Sequence, residues 1–191
     1  MSCLSTGTGS ASHSYADRGN DLYETPEVAT RALLAAESLP ATIWEPAVGY
    51  GAIAKILASA GHKVIGTDVV DYGEGYSTRD FLNDESSPDV EAIVTNPPFK
   101  HAMDFVRLGL ERCPRVIMLL RLAFLESERR RPILDNGMLA RVHVFRNRLP
   151  MMHRDGWTGN KVSNPTAFAW FVWDRAHNGP TELHRISWES Q

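Results

Sequence analysis

At 191 residues the chain has the length of a single domain, and with 43% hydrophobic and 23% charged residues it reads as an ordinary globular protein. No apolar run approaches a membrane span and no basic-then-apolar signal opens the chain, so a cytoplasmic protein without a membrane partner is expected. The net charge of -3 argues mildly against a protein that coats nucleic acid, and two isolated cysteines with seven scattered histidines imply neither a disulfide framework nor a metal site.

Residues 1–20 are rich in Ser, Gly, Thr and Ala without periodicity and are expected to form a flexible tail, leaving 21–191 as one domain. Thr25-Pro26-Glu27 predicts a helix start, with Thr25 as N-cap, Pro26 at the first helical position and an acidic residue in the first turn. Val28, Ala32, Leu33 and Ala36 give that helix an apolar face, and it ends before Pro40. A strand at 42–44 is followed by Glu45-Pro46-Ala47-Val48-Gly49-Tyr50-Gly51 and a helix at 52–58, an order that lets a ligand approach bare backbone at a helix N-terminus. The next strand, 62–67, ends in Asp68, about twenty residues past the loop, where an acid can bind ribose hydroxyls; the alternative for Asp68 is a turn cap.

Residues 71–79 read as a loop with any helix short, and Arg79-Asp80-Phe81-Leu82 adds a second acid beside an aromatic. The run 90–95 is a buried strand that stops at Asn96-Pro97-Pro98-Phe99-Lys100, because neither proline can donate a ladder hydrogen bond and both fix φ. That rigid tip presents an amide, two proline carbonyls and an aromatic ring, which are the parts needed to accept hydrogen bonds from a planar amino group and to stack on the ring carrying it. The bland alternative is a proline-capped strand end with a core phenylalanine.

Beyond the tip, 101–112 has helical spacing, 115–120 is a continuous apolar strand, and 126–136 reads as a short charged helix carrying Arg129, Arg130 and Arg131. Strands follow at 139–146 and 167–173, with an edge strand at 183–188. Between the first two lies a long loop with Arg148, Arg154, Trp157 and Lys161. Charge is divided along the chain: residues 1–99 hold 5 Lys+Arg against 14 Asp+Glu, and residues 100–191 hold 15 against 9. A cationic face on the second half can attract a phosphate backbone, or be no more than a solvated surface.

In this order the motifs resemble class I S-adenosylmethionine-dependent DNA methyltransferases, most closely small phage- or prophage-type adenine N6 methylases with an NPPF motif. The resemblance runs from about Asp21 to Trp173. It implies a Rossmann-like fold: a mostly parallel seven-stranded sheet, helices on both faces and an antiparallel C-terminal strand. It also implies S-adenosyl-L-methionine as cofactor. Tyr23, Thr25 and Pro26 match the family's (Y/F)xTP segment at the methionine carboxylate; Glu45, Pro46, Gly49 and Gly51 match its ExxxGxG loop. Asp68 and Val69 fall at the ribose and adenine positions, and Asp80 with Phe81 at those of the pair that bonds and flanks that adenine. Asn96, Pro97, Pro98 and Phe99 take the catalytic place. Asn96 and the Pro97 carbonyl would accept the amino hydrogens while Phe99 stacks on an adenine flipped from double-stranded DNA.

No separate target-recognition domain fits between Phe81 and Thr95. Sequence reading would then come from 122–136 and 147–166 or from a partner subunit, with Lys100, Arg129, Arg130, Arg131, Arg148, Arg154, Trp157 and Lys161 as candidate DNA contacts, each of which could equally be surface decoration. A monomer or homodimer is expected. RNA adenine, cytosine N4 or a protein glutamine amide are alternative acceptors for the same chemistry. A dinucleotide dehydrogenase would leave Asn96-Pro97-Pro98-Phe99 without use.

Overall fold

The computed structural model describes residues 23–151 and 166–189. The predicted tail at 1–20 and Arg154, Trp157 and Lys161 lie outside the described residues. In chain order the elements are α1 Glu27–Ala36, β1 Thr42–Glu45, α2 Ala52–Ser59, β2 Lys63–Asp68, β3 Ser77–Thr78, β4 Ala92–Thr95, α3 Ala102–Arg112 and β5 Arg115–Arg121, then α4 Arg131–Leu134, β6 Leu139–Phe145, β7 Phe168–Asp174 and β8 Glu182–Ile186. The strands form one sheet in the order β3-β2-β1-β4-β5-β7-β6-β8. β3, β2, β1, β4 and β5 run parallel, β7 is antiparallel to both its neighbours, and β8 returns parallel to β6.

Strand composition explains the layering. Val116, Met118 and Leu120 of β5 point into one core with Phe105, Val106 and Leu110 of α3, while Ile117 and Leu119 point into the other with Leu33 of α1 and Ile53 and Leu57 of α2. A strand apolar at every position suits a sheet covered on both faces. β7 divides its side chains in the same way. Its two tryptophans keep their indole N–H groups satisfied in the interior: Trp170 donates to Ala29 O at 2.9 Å and Trp173 to Ile133 O at 2.7 Å.

Four expectations need correction. The sheet has eight strands, because the two-residue β3 joins the seven expected, and the antiparallel strand is the penultimate β7 rather than the last. Thr25 does not cap α1; Pro26 takes the N-cap position, its carbonyl accepting from Ala29 N–H at 2.9 Å, and Thr25 is buried. The loop at 71–79 contains the short strand β3, drawn beside β2. The charged stretch 126–136 breaks into a 3-10 turn at Glu128–Arg130 and the single turn α4: Ser127 at φ 110° keeps a helix from starting earlier, and Pro132 has no N–H to carry a helical ladder back to Glu128.

Candidate functional site

The parallel strands end where loops converge, the position at which open α/β sheets gather ligands. β1 delivers Glu45, β2 delivers Asp68 and β4 delivers Asn96, around a cavity of about 190 Å³. Tyr23, Thr25, Pro46, Gly49, Val69, Asp80, Phe81, Pro97, Pro98 and Phe99 also line it, so most of the sequence-predicted residues meet at one place. Pro26 does not line this cavity; it borders a neighbouring hollow with Thr25 and Lys55.

The glycine loop is held from below. Asp68 accepts from Gly49 N–H at 2.9 Å through one carboxylate oxygen and from Val70 N–H at 3.1 Å through the other. The turn-cap reading of Asp68 is thus realised, and each oxygen keeps a second lone pair for a ligand hydroxyl. Gly49 adopts φ 51° at the cavity wall. Gly51, at φ 81°, is the N-cap of α2 and does not line the cavity, because the Tyr76 ring lies across it and across Gly66. Gly49 thus presents bare backbone at the cavity, whereas at Gly51 the space is taken by Tyr76.

Glu45 is only 2% exposed. Burial pushes its carboxyl well above the usual range; the Ala54 N–H donated to it opposes that shift and the Asp68 charge adds to it. Its Oε2 is buried without a partner. The same holds for Asn96 Oδ1. The Asn96 Nδ2 donates to the Tyr23 carbonyl at 3.0 Å, and the opposite amide orientation would set oxygen against oxygen. Two residues lining one cavity therefore each hold a buried oxygen with nothing of the described protein bonded to it, an arrangement that costs stability unless a ligand completes it.

Val69 is 60% exposed at the cavity mouth, an apolar side chain without cover. Phe81 and Phe105 also line the cavity, stacked with centroids 4.6 Å apart; Phe81 is buried in the core, with the Arg112 guanidinium 4.7 Å from its ring centroid. Asp80 accepts from Leu82 N–H at 2.9 Å and Asn83 Nδ2 at 2.7 Å, and the Asn83 bond leads in holding its pKa below the usual value. Phe99 is contacted by Tyr23 at 4.8 Å, by Phe168 at 5.8 Å and by the Arg121 guanidinium at 4.3 Å from its centroid.

Sequence reasoning missed several lining residues. Tyr50 and Tyr72 pair at 5.0 Å on one side, and His101 and Phe105 line another. Tyr50 carried a signal, an aromatic set between the two glycines, whereas Tyr72 lies in a stretch with no periodicity. Among the candidate DNA contacts, Arg130 donates to the Ala123, Phe124 and Glu126 carbonyls and lies over the Phe124 ring, so it closes its own turn. Arg131 pairs with Glu128 and Asp135. Lys100, Arg129 and Arg148 are exposed. No cluster among the described residues could hold a metal ion, and no described helix is long and apolar enough to cross a membrane.

Neither a family model nor a curated protein sequence matches the chain. Solved structures do. A Vibrio vulnificus YJ016 protein, named provisionally as a modification subunit of a type I restriction enzyme, superposes with TM-score 0.60 at 16% identity, covering 89% of this chain and 48% of its own. The 23S rRNA methyltransferase ErmE gives 0.54 at 17%, covering 81% and 70%. Magnesium protoporphyrin IX methyltransferase from Synechocystis PCC 6803, solved with its S-adenosylmethionine bound, gives 0.50 at 17%, covering 77% and 76%. The chain thus spans about half the length of the first of these and most of the others. The fold is the Rossmann-like one of S-adenosylmethionine-dependent methyltransferases, here with eight strands. Relatives named for such different substrates share it, so the substrate must be argued from the site.

Proposed function

We propose that the protein is an S-adenosylmethionine-dependent methyltransferase whose acceptor is the exocyclic amino group of an adenine turned out of double-stranded DNA. The observation that carries this reading is the buried, unpartnered Asn96 Oδ1, fixed as an acceptor by the bond from its Nδ2 to Tyr23 O. An acceptor held in that way recognises an N–H donor and rejects a carbonyl.

The residues fit the cofactor. The orphaned Glu45 Oε2 suits the ammonium of its amino-acid part, Asp68 retains lone pairs for ribose hydroxyls, and Val69 supplies an apolar surface for adenine. Bound there, S-adenosylmethionine would supply an electrophilic methyl group on a sulfonium. The protein's part is to position and polarise the acceptor. Pro98 O accepts from His101 N–H at 2.9 Å, which leaves the Pro97 carbonyl as the second acceptor beside Asn96. Drawing both amino hydrogens into hydrogen bonds makes the nitrogen more tetrahedral and more nucleophilic, while Phe99 supports the base. The prolines keep this constellation from relaxing.

A nucleic acid is favoured over a protein amide by the arginine-rich second half, and duplex DNA is the member of that class the proposal commits to. The test is incubation of purified protein with methyl-labelled cofactor and duplex DNA, RNA or protein, followed by nucleoside analysis. Label in N6-methyladenine of DNA is expected; label only in RNA or protein would overturn the DNA reading and leave the cofactor reading intact.

A further inference from the structure

Arg121 ends β5, the strand beside the one that ends at Asn96, and its guanidinium lies over the Phe99 ring at 4.3 Å. Several arginines elsewhere in the fold behave differently. Arg112, Arg115, Arg130, Arg141 and Arg175 each donate to carbonyls or carboxylates, whereas the exposed Arg121 has no hydrogen-bond acceptor or acid among the described residues. A ring face attracts a cation through its quadrupole but leaves the guanidinium N–H edge free for an anion. The backbone beneath is pinned: Arg121 pairs with Phe168, and Leu122 N–H donates to Ala167 O at 2.8 Å. Only the side chain is free to move.

We propose that Arg121 selects an acceptor base that carries a phosphate beside it. In the free protein the guanidinium covers Phe99; on binding, the phosphate flanking the extruded base draws it off the ring and exposes the stacking face. The inference rests on the base-directed reading above and deepens it, because a glutamine amide has no phosphate to offer. Arg121 does not line the cofactor cavity, so its removal leaves cofactor binding unchanged.

The test uses the full chain with Arg121→Gln and Arg121→Lys. The Gln variant should bind S-adenosylmethionine as the wild type does, and its KM for duplex DNA at low salt should rise on the order of tenfold while kcat stays within about threefold. The slope of log affinity against log salt should become shallower by about 0.9, the value of one phosphate contact, and Lys should restore it. An unchanged slope in the Gln variant, or a loss confined to kcat, overturns the proposal even if the wild type methylates DNA. Transfer by the wild type only to protein overturns both this proposal and the functional reading. Transfer only to RNA overturns the DNA reading alone, and a shallower salt slope measured on RNA would still support the role of Arg121.

Discussion

Replacing Glu45 by Gln should move stability and ligand affinity in opposite directions. The side chain is buried, has one oxygen unpartnered, and lies beside the carboxylate of Asp68 rather than a cation. Its raised pKa means that the folded state holds the proton more tightly than the unfolded chain. The group therefore favours folding below the ordinary glutamate range and opposes it progressively as pH climbs toward the raised value. Glutamine keeps the shape and an acceptor for Ala54 N–H, so at neutral pH the ligand-free variant should melt at or above the wild-type temperature. Affinity should fall, because a charged hydrogen bond to an ammonium contributes about 1.5–3 kcal/mol, or about 10- to 150-fold in Kd. Titration calorimetry with S-adenosylmethionine and with 5′-methylthioadenosine, which lacks the amino-acid part, separates the contributions: only the first should weaken. Wild-type binding of the first should strengthen with rising pH and release a proton. Equal loss for both ligands, or none for either, would refute the assignment.

Asn96→Ala should retain cofactor binding and lose transfer on the order of 10²-fold or more, by analogy with deleting one positioned hydrogen-bond partner at a reacting centre; single-turnover rates decide, and an active variant would remove Asn96 from the mechanism. Gly61→Ala, at φ 97° in open space, should cost about 1–2 kcal/mol in urea unfolding. Gly51→Ala should cost more, since its Cβ would overlap the Tyr76 ring, and a Tyr76→Ala background should recover part of the difference. At the far end of the sheet, burial raises the Glu37 pKa, but hydrogen bonds from His143 and Arg141 and the charges of Arg141 and Arg115 outweigh it and bring it to about 2. A depressed carboxylate supports folding above its unfolded value, so about 3 kcal/mol should be lost as pH falls from about 4.5 to about 2. In Glu37→Gln that part of the acid transition should vanish.

What was legible in the chain was local. The stop at Pro97-Pro98 marks the end of β4, the apolar run 115–120 marks a strand covered on both faces, and the spacing from Gly49 to Asp68 places loop and acid on neighbouring strand ends. What escaped depends on partners remote in sequence. Nothing around Tyr76 indicates that it will lie across Gly51 and Gly66, and Glu37 gains its meaning only when β5 and β6 bring Arg115, Arg141 and His143 to it. Arg130 illustrates the same limit. Its charge is visible, but the carbonyls that occupy it belong to a turn that an uninterrupted helix would not have made.

The two ends of the sheet place buried carboxylates in opposite circumstances. At the amino ends of β5 and β6, Glu37 meets two guanidinium groups, and its charge is answered within the protein. At the carboxyl ends of β1 and β2, Glu45 and Asp68 have only backbone N–H donors among the described residues, and no cation answers them. Burying acids side by side opposes folding, so a sequence selected for stability alone would have paired or removed one of them. Their persistence beside an orphaned amide oxygen makes sense if the missing positive charge arrives with the ligand. A sulfonium compound bearing an ammonium group brings two, and it would leave as a less cationic product once the methyl group had gone. The same electrostatics that hold the cofactor before transfer therefore weaken the grip on what remains afterwards, which lets one site both bind and release.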